Sequence, residues 1–156
     1  MDHRHFLSHL FEPAAAALIV GARVPAWATG LIDQLAADHP ERRVVRLDDL
    51  APPADGPAHE LAMIALDPHE VPAGIALAAR LRARVVSVMT EQADAGQARL
   101  WREQAHALGM RLLGPGTMGF VRPAMQLNAG RMGPLPAAGQ VALVSQSGVL
   151  NGAVLD

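Results

Sequence analysis

The chain has 156 residues, enough for one ordinary domain with its own core and too few for two of typical size. Hydrophobic residues make up 51% and charged residues 18%, which excludes disorder, and a net charge of -2 excludes a basic nucleic-acid footprint over the whole chain. Cysteine, tyrosine and lysine are absent, so disulfides, thiolate chemistry and Cys-ligated zinc are excluded, and all 13 cationic residues are Arg.

Residues 1–13 form an N-terminal segment with a short helix. The apolar run from Ala14 to Ala22 follows Glu12 and Pro13 and ends in Leu18-Ile19-Val20-Gly21, so it reads as a buried strand rather than a signal-peptide core. No segment reaches the ~18 apolar residues of a membrane span, which predicts a soluble, cytoplasmic chain with no membrane partner. The first strand is Ala16–Val20. A helix follows from about Pro25, with Ala28, Leu31, Ile32 and Leu35 on one face.

The second strand is predicted at Arg43–Leu47, and the Pro- and Gly-rich stretch Asp48–His59 as a loop. Leu61–Leu66 is a continuous apolar run, expected of a central strand covered on both faces. Val71, Ile75 and Ala78 mark the next helix, and Val85–Met89 the fourth strand. Gln92–Leu108 is a helix with Trp101, Ala105 and Leu108 on its apolar face and Gly109 as its stop. Met110–Leu113 is the fifth strand, and 114–139 loosens into short extended pieces and turns. A new strand is predicted at Val141–Val144, followed by a helical start.

Alternating strands and helices predict an α/β fold, a doubly wound parallel sheet whose ligand crevice lies at the carboxyl ends of the strands. After the first strand, Gly21-Ala22-Arg23 leads into a helix carrying Thr29 and Gly30. A glycine there lets backbone approach a phosphate at the helix terminus, or simply makes a tight turn; it is not a G-x-G-x-x-G fingerprint.

The blocks Leu10-Phe11-Glu12-Pro13, Ala17-Leu18-Ile19-Val20-Gly21-Ala22 and Leu61-Ala62-Met63-Ile64-Ala65-Leu66-Asp67-Pro68 carry a resemblance that the rest of the chain continues. Gly109-Met110-Arg111-Leu112-Leu113-Gly114-Pro115, Leu127-Asn128-Ala129 and Val141-Ala142-Leu143-Val144-Ser145-Gln146-Ser147-Gly148 follow in order. Together they resemble the CoA-binding domain of NDP-forming acyl-CoA synthetases. That domain also occurs in the succinyl-CoA synthetase alpha subunit and, fused to a GNAT domain, in bacterial protein lysine acetyltransferases.

The resemblance implies a Rossmann-like CoA-binding domain over 14–139 and the start of a second, ligase domain over 140–156. It implies CoA or acyl-CoA (acetyl-CoA) as ligand, with no catalytic residue and no metal in this chain. The phosphates would lie at Gly21-Ala22-Arg23, where Arg replaces the family's Ser, with Thr29 and Gly30 beyond. Leu66-Asp67-Pro68 and Met89-Thr90-Glu91 would flank the ligand. Gly114-Pro115-Gly116 stands where the family has Gly-Pro-Asn, so a side chain near the thiol end is missing. Ser145, Ser147 and Gly148 would form the phosphate turn of the second domain. Asp48-Asp49 stands where the family has a Pro-Val-Asn-Pro turn with a nearby Lys. The family's phosphohistidine, ATP-grasp and GNAT parts have no counterpart here.

Two other readings stand beside this one. Asp48, closing the second strand, could read a nicotinamide ribose, making an NAD(P)-binding redox or sensor domain. The departures at Arg23, Asp48 and Gly116 could instead mark a regulatory module without a ligand. His3, His5 and His9 read as exposed and His106 as surface, while His69 falls at a helix entry facing the crevice. Trp27 and Trp101 read as packing residues. A strand and partial helix left uncovered near 140–156 predict self-association or local disorder.

Overall fold

The computed structural model describes residues 5–36, 39–49 and 58–155. Most of the predicted Pro-rich loop, His3 and Asp156 lie outside the described residues. A five-stranded, all-parallel sheet forms from β1 (Ala16–Val20), β2 (Arg42–Arg46), β3 (Leu61–Ala65), β4 (Val85–Val88) and β5 (Arg111–Leu113) in the order β2-β1-β3-β4-β5. This is the doubly wound α/β arrangement, with its reversal of strand order between β1 and β3.

The strands that pair on both sides are the ones written without a charge. β1, β3 and β4 are buried at every position. Each sends alternate residues to opposite faces. Ala17 and Ile19 join Ile64, Val86, Ile75 and Trp101 in one core, beneath α3 (Val71–Arg80) and α4 (Ala95–Ala107). Leu18 and Val20 join Met63, Leu31, Leu35 and Leu127 in the other, beneath α2 (Ala26–Ala36). The edge strand β2 keeps three arginines in five residues and is only half-buried.

Local signals explain where elements begin and end. α4 starts three residues later than predicted because Asp94 caps it: its carboxylate accepts from Gln97 N at 2.8 Å, while the Gln97 side chain accepts from Asp94 N. Gly109 ends it at φ +76°, as expected. β2 runs 42–46 rather than 43–47, because Arg42 pairs with Ala16 in the ladder. The Arg42 guanidinium donates to the Met125 and Gln126 carbonyls. Burial lowers its pKa and Glu41 acts in the opposite sense.

The stretch expected to be irregular contains an antiparallel hairpin, β6 (Gly119–Arg122) and β7 (Leu127–Gly130), joined by a 3-10 turn at Pro123–Met125. The hairpin covers the α2 side of the sheet through buried Leu127 and Ala129. α1 (Phe6–Phe11) packs beside it: Phe11 meets Phe120 edge-on at 5.2 Å, and Glu12 pairs with Arg122 at 3.0 Å. His9, expected to be exposed, is buried and lies 3.5 Å from Glu60, whose other oxygen accepts from Ala14 N. The contact ties α1 to the start of β3.

The predicted strand Val141–Val144 is not formed. Val141 and Val144 are 94% and 96% exposed, and the segment has no ladder partner among the described residues. An apolar run alone does not make a strand; it needs a neighbour to take its backbone hydrogen bonds. The helix after it does form, as α5 (Gly148–Leu155).

The hairpin leaves no room for a side chain at Gly119 or Gly130, and the demand is more severe at Gly119. At Gly119, φ is +78° and a Cβ would lie 2.0 Å from the Ala129 carbonyl oxygen. Gly119→Ala should therefore cost about 2 kcal/mol or more, read as a lower urea midpoint. An unchanged midpoint would show that the hairpin yields to the extra carbon.

Candidate functional site at the carboxyl ends of the strands

The reversal between β1 and β3 opens a crevice at the carboxyl end of the sheet, where chains leaving adjacent strands run to opposite faces. From β1 come buried Gly21 and exposed Ala22 and Arg23, then α2. From β3 come buried Leu66 and half-buried Asp67 and Pro68, then α3. Arg23 reaches across to Asp67 at 3.0 Å. Its side chain is 83% exposed, so the pair adds little to stability and its partner is readily exchanged.

Glu70, the residue before α3, turns its carboxylate back toward Gly21 and accepts from Asp67 N at 3.2 Å. A Cβ placed on Gly21 would lie 2.9 Å from one carboxylate oxygen and 3.0 Å from the other. The missing side chain of Gly21 is the room that Glu70 uses.

The end of β4 is built differently. Met89 and Thr90 are buried, and the Thr90 hydroxyl donates to the Leu66 carbonyl at 2.7 Å. Thr90 thus braces the ends of β3 and β4. Its own carbonyl accepts from Gly116 N at 2.9 Å, which lays the Gly114-Pro115-Gly116 turn against β4. Gly114 is required there, since at φ +100° a Cβ would sit 2.4 Å from the Val88 carbonyl oxygen. Gly116 has open space around it.

Arg131, just past β7, was not singled out in the sequence. Its guanidinium donates to the Met89 carbonyl at 3.3 Å and pairs with Glu91. It also lies 4.7 Å over the ring of Trp27 in the first turn of α2. One side chain therefore joins the hairpin, the end of β4 and the start of α2. A lone Arg in a Gly- and Pro-rich stretch carries no periodic signal, so only the fold reveals it.

The other expected positions divide. Thr29 and Gly30 lie farther along α2, both exposed, and a Cβ on Gly30 would meet nothing within 4 Å. Ser147 is used as the cap of α5: its hydroxyl accepts from Leu150 N at 3.2 Å, while the Ser145 hydroxyl accepts from Ser147 N. Gly148 packs against Met118, two residues past Gly116, so the serine turn adjoins the site through Met118. Asn128 is structural, donating to the Gln34 side chain and the Gly133 carbonyl. Asp48 and His69 are exposed. Among the described residues no group of three or more His, Asp or Glu could hold a metal ion, and no helix is long and apolar enough to cross a membrane.

Replacing Arg131 by Ala should lower stability by roughly 1 kcal/mol, since it removes a cation–π contact together with an ion pair whose Glu91 carboxylate is mostly in solvent. It should also expose Trp27 to acrylamide quenching. A quenching curve unchanged from that of the parent protein would place Trp27 under other cover.

No protein-family model and no curated protein sequence matches the chain. Solved structures do. The dinucleotide-forming acetyl-coenzyme A synthetase 1 of Candidatus Korarchaeum cryptofilum, in complex with phosphate and ADP, is 25% identical with a TM-score of 0.77. The likeness covers 96% of this chain and 36% of that one, and the apo form of the same enzyme agrees equally well. PH0766 of Pyrococcus horikoshii OT3 has a TM-score of 0.79 at 21% identity, over 96% of this chain and 38% of its own. The chain thus spans little more than a third of the proteins it matches. These neighbours bear out the doubly wound fold and support the likeness to the CoA-binding domain of NDP-forming synthetases.

Proposed function

We propose that this chain binds CoA or a short acyl-CoA such as acetyl-CoA, acting in the cytoplasm as the CoA-binding part of an NDP-forming acyl-CoA synthetase. The observation that carries this reading is the 25%-identical likeness to an acetyl-CoA synthetase over 96% of the chain. It favours a synthetase over a GNAT-fused acetyltransferase as the larger protein. The crevice fits the group in part. The space beside Gly21 is taken by the Glu70 carboxylate, and Arg23 can exchange Asp67 for a phosphate in a charge-assisted pair. The 114–116 turn presents backbone and no side chain beyond Pro115, leaving room beside β4. Bound CoA would supply the thiol that carries the acyl group. The residues described here bind and orient it.

In this reading 14–139 is the binding domain and 140–156 belongs to a second unit. The exposure of Val141, Val144, Val149 and Val154 supports a surface that is covered when its partner is present. Light scattering after size-exclusion chromatography should find self-association at high concentration; a strict monomer would argue that these residues tolerate solvent unaided.

Calorimetric titration with CoA, acetyl-CoA and NAD(H) at two salt concentrations tests the function. CoA or acetyl-CoA should bind, more weakly at high salt, and NAD(H) should not. Binding of NAD(H) alone would favour the dinucleotide reading centred on Asp48, and silence from all three would favour a module without a ligand. Arg23→Ala should weaken CoA binding roughly tenfold and flatten its salt dependence. Unaltered affinity would remove Arg23 from the site.

A further inference from the structure

In a doubly wound sheet, the turn after the strand at the reversal point is where backbone N–H groups and a helix start favour an anion. Here that place is approached by an anion of the protein's own. The Glu70 carboxylate oxygens lie 2.9 and 3.0 Å from where a Gly21 Cβ would be. Among the described residues it accepts a single hydrogen bond, from Asp67 N, and pairs with no arginine. Its position just before α3 also suits a negative charge. The Glu70 side chain accepts no cap hydrogen bond from the first turn of α3. Asp67 beside it takes up the Arg23 charge. The two acids together occupy what the turn offers an incoming phosphate: the space beside Gly21 and the Arg23 guanidinium.

Resting on the proposed CoA reading, we infer that Glu70 is a specificity-determining residue that holds the phosphate place of the first turn as an internal anion. A phosphorylated ligand enters only as the carboxylate swings away from Gly21. The contact is made by the far end of a flexible side chain, so the swing requires no backbone movement. Glu70 thereby keeps affinity for polyanions low and removes weakly bound free phosphates, while a ligand with further contacts along the crevice can displace it.

The test is CoA and inorganic pyrophosphate titrated into the parent protein, Glu70→Gln and Glu70→Asp, each at low and high salt. Gln keeps the size of the side chain and an acceptor for Asp67 N, so its melting temperature should fall by no more than a few degrees, the share owed to the charge at the start of α3. It should bind CoA roughly five- to tenfold more tightly, the scale of one like charge removed at close range. Pyrophosphate should gain in the same sense, and the advantage should shrink at high salt. Asp, one methylene shorter, keeps the charge but withdraws it from Gly21, and should gain less. If the parent binds CoA and Glu70→Gln binds it equally or less well, the inference fails while the CoA reading stands. If none of the three proteins binds CoA, the reading fails and the inference with it. A gain that persists undiminished at high salt would assign Glu70 a packing role instead.

Discussion

β1 has a parallel neighbour on each side and a hydrophobic layer on each face, and the rest of the molecule takes its position from that double burial. A strand so placed cannot carry a charge, and Ala-Ala-Leu-Ile-Val carries none. Because the chain steps from β1 to β2 in one direction and later to β3 in the other, the connections beyond β1 and β3 separate onto opposite faces. The space between them is the first point at which backbone leaving the core meets water. Five charged residues gather at that rim: Arg23, Asp67, Glu70, Glu91 and Arg131 all lie just past the end of a strand.

Each arginine at the rim has a carboxylate partner. Arg23 is answered by Asp67 and Arg131 by Glu91, each pair joining residues far apart in the chain. The two pairs differ in character. Arg23 lies in solvent, where a better partner can replace Asp67 at small cost, whereas Arg131 is mostly covered and held from three directions. The first arrangement suits exchange and the second suits a fixed wall.

What the sequence made legible follows the same division. Strands that are buried on both faces appear as unbroken apolar runs, and helices with one buried stripe appear by period, so β1, β3, β4, α2, α3 and α4 could be placed within a few residues. The glycine turn and the Asp67 and Glu91 positions followed from the strand ends and the family resemblance. Three things could not be read. The hairpin depends on Gly119 approaching Ala129 across ten residues, a contact with no local pattern. Arg131 and Glu70 gain meaning only from what the fold sets opposite them. The opposite error occurred at Val141–Val144, where a strand-like run without a neighbour makes no ladder. His9 shows the same limit: a histidine near a chain end reads as exposed until Glu60 is found beside it.

The N-terminal helix is easily taken for a trailing appendage, yet three unlike contacts fasten it: His9 to Glu60, Phe11 to Phe120 and Glu12 to Arg122. The first reaches the foot of the central sheet and the other two reach the hairpin. α1 is therefore a clasp that closes one side of the molecule, and the hairpin it secures carries Arg131 to the rim. Residues at the chain's beginning thus bear on the shape of the rim at the opposite end of the sheet without reaching it. Substitutions in this helix that look remote from the rim would act by loosening that wall rather than by altering the Gly21 turn.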